Sequence, residues 1–232
     1  MYSELYTKYA KEYGLAVQDN IYNARFERPS LQALLGDLTD CNVLDLGCGP
    51  GIYAEYLLSQ GVGSLTCLDR SEAMIEIVKS KFGEKVSAYV QDLSLGLPEE
   101  VSNSMDVIIS PLVLHYLEDL TLIFGEIHRV LKPNGYMVFS MHHPFDMLEE
   151  GVSGNYFERE LITQHWKTIG EPVKIQFYRR SLSEITDAIV SSGLCITKIS
   201  EGRVDEEVKE ISEEVYNHLK STPNFIFIKC CK

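Results

Sequence analysis

The sequence lacks any long hydrophobic run. No segment of its 232 residues approaches the roughly 18 consecutive apolar residues that a membrane-spanning helix requires. The opening stretch, MYSELYTKYAKEYG, is polar and aromatic, and it contains no apolar core of the kind found in signal peptides. We therefore expect a cytoplasmic protein that does not contact a membrane.

Paired cysteines are missing as well. The six cysteines show no CxxC spacing, so we expect no zinc site and no other bound metal. Several of them lie within apolar strand-like runs, where cysteine behaves as a small hydrophobic residue. This distribution indicates a reducing compartment and no disulfides.

Positive charge is scarce. The chain has 21 Lys and Arg residues against 34 Asp and Glu residues, which gives a net charge of −13. Binding to a nucleic-acid backbone needs basic patches, so this balance disfavours a nucleic-acid partner. A small molecule is favoured instead.

Apolar strand-like runs alternate with amphipathic helical runs from residue 42 onward. Units of this length predict a parallel, doubly wound α/β sheet with right-handed crossovers, and the length suits one domain, residues 1–232. The predicted strands are Asn42–Leu46, Ser64–Leu68, Val86–Val90, Met105–Ser110, Tyr136–Met141, Leu194–Ser200 and Phe225–Lys229.

An N-terminal segment, residues 1–36, precedes this alternation and is predicted to be helical. A first helix over Tyr2–Gly14 would place four tyrosines on one face. These are Tyr2, Tyr6, Tyr9 and Tyr13. A second helix is predicted to begin near Pro29 and run to Leu35, since proline is accommodated in a first helical turn. The tyrosine face either packs on the domain surface or caps a ligand.

A second segment, residues 144–180, interrupts the alternation. It reads as two short strands, Asn155–Thr163 and Val173–Tyr178, joined by a loop that carries Trp166, the only tryptophan. We interpret the segment as a small β insertion that forms a lid over the ligand face of the sheet.

The run VLDLGCGPG, Val43–Gly51, is the most informative stretch of the chain. It continues an apolar strand into a loop that has glycines at alternate positions, Gly47, Gly49 and Gly51. Glycine lacks a Cβ and tolerates positive φ, so such a loop can turn sharply and let a ligand touch the backbone. A strand, a glycine loop and a helix N-terminus form a nucleotide-binding corner. One carboxylate, Asp45, interrupts the strand just before the turn.

Two classes of nucleotide-binding protein compete for this corner. Gly49, Gly51 and Ala54 match the GxGxxA pattern of NAD-dependent oxidoreductases, and Asp69 ends the next strand at a suitable distance. However, Asp45 would be unfavourable beside a pyrophosphate, and the loop after the fourth strand lacks the Tyr-x-x-x-Lys pairing of hydride transfer. A cationic ligand that carries a ribose suits the carboxylates better, and S-adenosylmethionine is such a ligand.

The sequence resembles the class I S-adenosylmethionine-dependent methyltransferases, especially the small-molecule branch that includes quinone-biosynthesis-like enzymes. VLDLGCGPG is similar to that family's first motif almost letter for letter. The supporting stretches are LTCLDRSEAMI (Leu65–Ile75), YVQDL (Tyr89–Leu93), SMDVIISPLVLHYL (Ser104–Leu117) and RVLKPNGYMVFS (Arg129–Ser140). The resemblance implies a Rossmann-like, doubly wound sheet of seven mostly parallel strands, of which the last is antiparallel, and S-adenosylmethionine as the cofactor.

The resemblance also implies cofactor roles for single residues. The glycine loop should pass under the methionine part, and Asp45 should hold its amino group. Asp69 should accept hydrogen bonds from both ribose hydroxyls, and Asp92 should accept the adenine amino group. The other implied cofactor residues are Arg28, Cys48, Arg70, Met74, Gln91, Leu93, Ser110 and Leu112. A surface position for Arg28 and plain core packing for Met74 remain open alternatives.

Catalysis of methyl transfer rests mainly on proximity and alignment. A general base is needed only if the nucleophile arrives protonated, and histidine has a suitable pKa for that task. His142 and His143 are adjacent at a strand end, so at most one of them faces the pocket. We name His143 and His115 as the candidate bases; the alternative is that neither takes part.

The insertion should shape the pocket for the methyl acceptor. Tyr156, Trp166 and Tyr178 are predicted to line it, and the alternative is a ribbon that packs on itself or on a second copy in a homodimer. The sequence as a whole indicates a methyltransferase that acts on a small molecule. The alternatives are an NAD-dependent oxidoreductase and a protein that binds S-adenosylmethionine without catalysis.

Overall fold

A computed structural model describes residues 3–146, 148 and 153–232, and nine strands form two sheets within them. The strands are β1 (Asn42–Leu46), β2 (Ser64–Asp69), β3 (Ser87–Val90), β4 (Met105–Pro111), β5 (Leu131–His142), β6 (Glu160–Trp166), β7 (Val173–Arg179), β8 (Cys195–Ser200) and β9 (Phe225–Cys231).

Seven of these strands form the main sheet, in the order β3-β2-β1-β4-β5-β9-β8. The strands β1 to β5 pair in parallel, whereas β9 runs antiparallel to both of its neighbours, β5 and β8. The predicted Rossmann-like sheet with an antiparallel last strand is confirmed. Because β1 to β5 run in the same direction, their carboxyl ends meet at one edge of the sheet.

Helices cover both faces of the sheet, and alternate strand residues separate the two cores. Val43 points to the face covered by α3 (Ile52–Ser59) and α4 (Glu72–Phe82), whereas Leu44 points to the face covered by α5 (Thr121–Val130) and α6 (Leu182–Ser191). Since both faces are covered, the central strand β4 is nearly all apolar, as the sequence shows.

The N-terminal segment differs from the single helix predicted over Tyr2–Gly14. The structure has a 3₁₀ turn, Glu4–Tyr6, followed by α1, Ala10–Ala16. The Ser3 hydroxyl caps the 3₁₀ turn by accepting a hydrogen bond from the Leu5 amide, which favours a short separate turn. Tyr2 lies outside the described residues.

A π-helix over Ile21–Glu27 continues directly into α2, Arg28–Gln32. No sequence pattern predicts the π-helix, and the helix predicted near Pro29 ends at Gln32, earlier than Leu35. This short helical run brings residues 23, 27 and 28 to the carboxyl edge of the sheet, where they line a cavity.

Strands β6 and β7 form the antiparallel hairpin of the insertion. Trp166 was predicted to lie in the connecting loop. Instead it is the last residue of β6, because its backbone pairs with Val173 of β7. The hairpin packs on the N-terminal segment in a third, small core around Leu5, Ile175 and Phe177. Positions 147 and 149–152 of the predicted lid lie outside the described residues.

Two short acidic helices precede the last strand, α7 (Glu207–Ile211) and α8 (Glu213–Ser221). Ser212 adopts an extended backbone between them, and its hydroxyl accepts a hydrogen bond from the Val215 amide, so it begins α8 as an N-cap. Across the described part of the chain, no helix has both the length and the apolar character needed to cross a membrane.

Candidate active site

A cavity of about 620 Å³ lies at the carboxyl edge of the parallel strands. Asp45, Asp69 and Pro111 reach it from the ends of β1, β2 and β4. The N-terminal segment and the hairpin form the opposite wall, with Tyr6, Tyr9, Tyr13, Glu27, Val173 and Lys174. Parallel sheets bind their ligands at this edge, and the volume is typical of a small-molecule site.

The N-terminal segment is fastened on both sides of the cavity. The Ser71 hydroxyl at the start of α4 donates a 2.5 Å hydrogen bond to the Tyr6 carbonyl. On the other side, the Ser3 hydroxyl donates to the carbonyl of Lys174 in β7 at 3.0 Å. The segment therefore bridges the sheet and the hairpin above the cavity.

The glycine loop turns between β1 and α3 with positive φ at all three of its alternate glycines. A Cβ on Gly47 would lie 2.2 Å from Val113 in the loop after β4, so only glycine fits there. By contrast, apart from the two chain neighbours of Gly49, no atom of the described residues lies within 4 Å of its Cβ position, and Gly49 lines the cavity. Gly51 faces Phe82 of α4 and does not line the cavity.

Asp45 is the most unusual carboxylate of the chain. It is only 1% exposed, and within the described residues neither of its oxygens has a hydrogen-bond partner. Burial, with Asp69 and Glu27 nearby, raises the pKa of Asp45 well above its usual range. A buried carboxylate without a partner is costly, so a cationic group bound in the cavity would relieve a cost that the free protein bears.

Asp69 and Asp92 end the next two strands and are held by backbone amides. Asp69 Oδ2 accepts a hydrogen bond from the Gly49 amide at 2.9 Å, and its Oδ1 accepts one from the Ser71 amide at 2.8 Å. Asp92 Oδ1 accepts from the Ser94 amide, and its Oδ2 lies 3.1 Å from Arg70 Nε. Both carboxylates are therefore fixed at the cavity wall.

The structure brings most of the other predicted cofactor residues to the same wall. Those that line the cavity are Arg28, Cys48, Arg70, Met74, Gln91, Leu93 and Leu112. The guanidinium of Arg28 donates to the carbonyls of Val17 and Gln18. Ser110 is not at the wall, because it is buried in the sheet, where its hydroxyl donates to the Leu46 carbonyl at 3.2 Å.

Neither candidate base lies at the cavity wall. His115 is 1% exposed, and its ring lies 4.5 Å from the His142 ring and 5.7 Å from the Phe177 ring. Burial, with His142 and Arg180 nearby, holds the pKa of His115 well below its usual range. His143 is also buried, and its Nε2 lies 3.2 Å from Glu201 Oε1. Phe177 of the hairpin packs against the His115 ring, whereas the His143 ring stacks on Phe145.

The three aromatic residues predicted to line an acceptor pocket also lie away from the cavity. The ring of Tyr156 stacks on Phe145, and its hydroxyl accepts a hydrogen bond from the Leu182 amide. Trp166 packs in the hairpin core, and Tyr178 donates to Glu118. The insertion instead reaches the cavity with residues 171–174 and 176, around its hairpin turn.

Comparisons with known proteins agree with this geometry. Residues 44–139 match the family described as "Methyltransferase domain". A demethylmenaquinone methyltransferase of Lactococcus lactis is 38% identical over 162 residues, which are 66% of this chain and 63% of that enzyme. A putative S-adenosylmethionine-dependent methyltransferase structure from Listeria monocytogenes superposes with a TM-score of 0.76, at 25% identity, over 89% of this chain and 96% of that one.

The chain is a class I S-adenosylmethionine-dependent methyltransferase. S-adenosylmethionine is its cofactor, so the NAD-dependent alternative is set aside. This methyltransferase spans less than two thirds of the length of the lactococcal enzyme. An uncharacterized Haemophilus influenzae protein is 26% identical over 229 residues, and the match covers 90% of this chain and 88% of that protein. The unpartnered Asp45 carboxylate and the open space at Gly49 fit a cofactor that carries an ammonium group and lies against the loop.

The methyltransferase also has cavity residues that the sequence did not single out as site residues. The Tyr6 and Tyr116 hydroxyls lie 2.6 Å apart, and the Tyr6 ring meets Tyr13 edge to face. The regular spacing of the tyrosines was a signal for Tyr6 and Tyr13. Glu27 gave none, because a charged residue before a helix start normally faces solvent, yet it is 3% exposed.

Proposed function

We propose that this methyltransferase acts on a small-molecule acceptor, which binds in the same cavity as S-adenosylmethionine. The observation that carries the proposal is the size of the cavity and the walls around it. The N-terminal segment and the hairpin turn line it opposite the strand ends, and the acceptor would share its space of about 620 Å³ with the cofactor. The net charge of −13 argues against a nucleic-acid acceptor.

The contacts of the strand-end carboxylates are compatible with the cofactor roles that the family resemblance implies. Asp45 would hold the ammonium group of the methionine part, because its oxygens have no hydrogen-bond partner among the described residues. Asp69 would accept the two ribose hydroxyls, since each carboxylate oxygen retains a lone pair beside the amide that fixes it. Asp92, one strand further along, would accept the adenine amino group.

S-adenosylmethionine supplies a methyl group bound to a positively charged sulfur, which leaves as a neutral thioether. The chain's task is therefore to align the acceptor in line with that bond and to exclude water. The tyrosines of the N-terminal segment and the loop after β4 form the remaining wall for an acceptor, and their rings favour an apolar or aromatic one. The name of the lactococcal relative, a demethylmenaquinone methyltransferase, is in keeping with an aromatic acceptor.

The proposal is tested by incubating a metabolite extract with the enzyme and methyl-labelled S-adenosylmethionine, followed by mass spectrometry. We expect label in one or a few small molecules, and roughly 5- to 150-fold less when the Asp69→Ala variant replaces the wild type at a low cofactor concentration. Label confined to protein or nucleic-acid fractions would refute a small-molecule acceptor. Cofactor binding without any transfer would indicate a binding protein without catalysis.

A further inference from the structure

Glu27 is a buried carboxylate at the cavity wall. It ends the π-helix, and only 3% of its surface is exposed. The Tyr53 hydroxyl of α3 donates to its Oε2 at 3.0 Å, and the Ser140 hydroxyl of β5 donates to its Oε1 at 2.6 Å. Each oxygen thus keeps a second lone pair for a ligand in the cavity.

The contacts of Glu27 place it away from the ribose and adenine side. The carboxylates proposed to hold the cofactor follow β1, β2 and β3, on one half of the sheet edge. Ser140, which holds Glu27, belongs to β5, and its hydroxyl also accepts the Leu112 amide at 3.0 Å. Leu112 follows β4, lines the cavity and has a φ of 54°, a strained backbone of the kind found at active sites. Glu27 also interacts with Asp45 and so borders the methionine part of the cofactor, and we assign it to the acceptor half on the β5 side of the cavity.

The adjacent Arg28 compensates only a small part of the negative charge of Glu27. In the described part of the chain, no Lys or Arg side chain lies within ion-pair distance of it, and the guanidinium of the adjacent Arg28 is directed to two backbone carbonyls. The groups that face it are Tyr53, Ser140, Asp45, Tyr13 and Arg28.

The protonation of Glu27 changes near neutral pH. Burial raises its pKa to about 7, although the hydrogen bonds from Ser140 and Tyr53 and the charge of Arg28 act in the opposite direction. A carboxylate with such a pKa can accept a proton from a substrate and return it to solvent at neutral pH.

We propose that Glu27 is the general base of the reaction and that the acceptor's nucleophilic group carries an acidic O–H or N–H. This inference rests on the proposed function. The nucleophilic atom forms a bond to the methyl carbon while the bond between that carbon and sulfur breaks. The electron pair of the broken bond stays on sulfur. Glu27 takes the proton that the nucleophile loses and later releases it to solvent. A carboxylate acceptor is disfavoured, because it carries no such proton at neutral pH and Glu27 would repel it.

A purely structural role for Glu27 is the competing explanation, since its hydrogen bonds join the N-terminal segment to α3 and β5. Glu100 provides a matched control: it is also buried and also accepts a hydrogen bond from a tyrosine, Tyr89, but it does not line the cavity. Glu27→Gln and Glu100→Gln each keep the shape of the side chain and a hydrogen-bond acceptor.

The experiment measures label transfer from saturating methyl-labelled S-adenosylmethionine into a dilute metabolite extract, as a function of pH. We expect the wild-type rate to rise with pH, with a midpoint near the pKa of about 7, and to level off at higher pH. Glu27→Gln should lower the plateau roughly 100-fold or more and remove the rise, while Glu100→Gln keeps both. Tyr53→Phe removes a hydrogen bond that lowers the pKa of Glu27, so its rise should move to higher pH.

Two readouts do not depend on turnover. S-adenosylhomocysteine, measured by calorimetry, should bind Glu27→Gln and the wild type equally. Infrared spectra of the cofactor-free protein should show a carboxyl band that titrates near pH 7 in the wild type and is absent from Glu27→Gln. A cooperative thermal unfolding transition like that of the wild type has to show that Glu27→Gln is folded. If the variant is not folded, the shift in the pH profile of Tyr53→Phe becomes the deciding measurement.

The inference is overturned if the wild type transfers label and the plateau rate of Glu27→Gln lies within about threefold of the wild-type rate. It is also overturned if the pH profile of Tyr53→Phe equals that of the wild type. A product methylated on a carboxylate overturns the substrate class. If wild-type enzyme binds the cofactor but transfers no label, the proposed function fails, and the inference fails with it.

Discussion

The Gly49 amide donates a 2.9 Å hydrogen bond to Asp69 Oδ2, across 20 residues of sequence. The bond joins the glycine loop after β1 to the carboxylate that ends β2. Loop and carboxylate are therefore set in position before the cofactor arrives, and binding need not order them. This contact links the two most specific motifs of the sequence.

Replacement of Asp69 should weaken the cofactor complex. Asp69→Ala removes the acceptor proposed for the ribose hydroxyls and the partner of the Gly49 amide, so we expect a loss of about 1–3 kcal/mol, or roughly 5- to 150-fold in Kd. Isothermal titration with S-adenosylmethionine measures it. Asp106→Ala is the matched control, because Asp106 also accepts a backbone amide, that of Asn42, but lies at the opposite end of the sheet. Equal affinities for both variants would contradict the ribose assignment.

Replacement of Asp45 by asparagine should stabilise the cofactor-free protein but weaken the binding of S-adenosylmethionine. Because the pKa of Asp45 is raised by burial, the folded chain binds more protons than the unfolded chain at intermediate pH, and its free energy of unfolding falls as pH rises. Asp45→Asn removes that loss, so the Tm of the cofactor-free protein should rise by about 2–4 °C per kcal/mol gained.

The same variant should be stabilised less by S-adenosylmethionine, because the ammonium group loses its counter-charge. Thermal unfolding with and without the cofactor, at acidic and neutral pH, tests both effects. Asp106→Asn, whose carboxylate is ion-paired with Lys132, should show no gain in Tm. A lower Tm for cofactor-free Asp45→Asn would contradict our account of the buried charge.

The features that the sequence predicted correctly are those that a local pattern of residues determines. Strand β1 was predicted with its exact ends, because an apolar run meets a glycine loop there, and the three strand-end aspartates follow from the alternation of strands. Contacts between distant segments were not predictable. Glu27 is buried by contacts with Tyr53 and with Ser140, which is 113 residues away. The rings of His115 and His143 likewise pack against Phe177 and Phe145, which are distant or outside any local pattern.

Gly47 should tolerate no side chain. In Gly47→Ala the new Cβ would lie 2.2 Å from Val113, and φ is +74°, so strain and a clash combine. Gly61 has the same φ of +74° but open space around its Cβ position. We expect Gly61→Ala to cost about 1 kcal/mol and Gly47→Ala several times more, measured by urea unfolding. Equal losses would show that the approach of Val113 does not restrict position 47.

The buried histidines should matter for stability rather than for turnover. His115→Ala leaves a gap in the aromatic core beside His142 and Phe177, so a loss of about 2–4 kcal/mol in the free energy of unfolding is expected. His143→Ala should lose less, since its contact is with an exposed glutamate. Label transfer per folded molecule, with saturating cofactor, should stay within about twofold of wild type for both. A tenfold lower rate of label transfer in either variant would indicate that the replaced histidine takes part in catalysis.

The central claim is that the strand-end carboxylates make this cavity a site for a cationic, ribose-bearing cofactor. Its most direct test is a calorimetric titration of the wild-type protein and of Asp45→Ala with S-adenosylmethionine and, separately, with NAD⁺. We predict one site for S-adenosylmethionine on the wild type, roughly tenfold or more weaker on Asp45→Ala, and no heat of binding from NAD⁺. Equal affinity of S-adenosylmethionine for the two proteins, or saturable binding of NAD⁺ in its place, would contradict it.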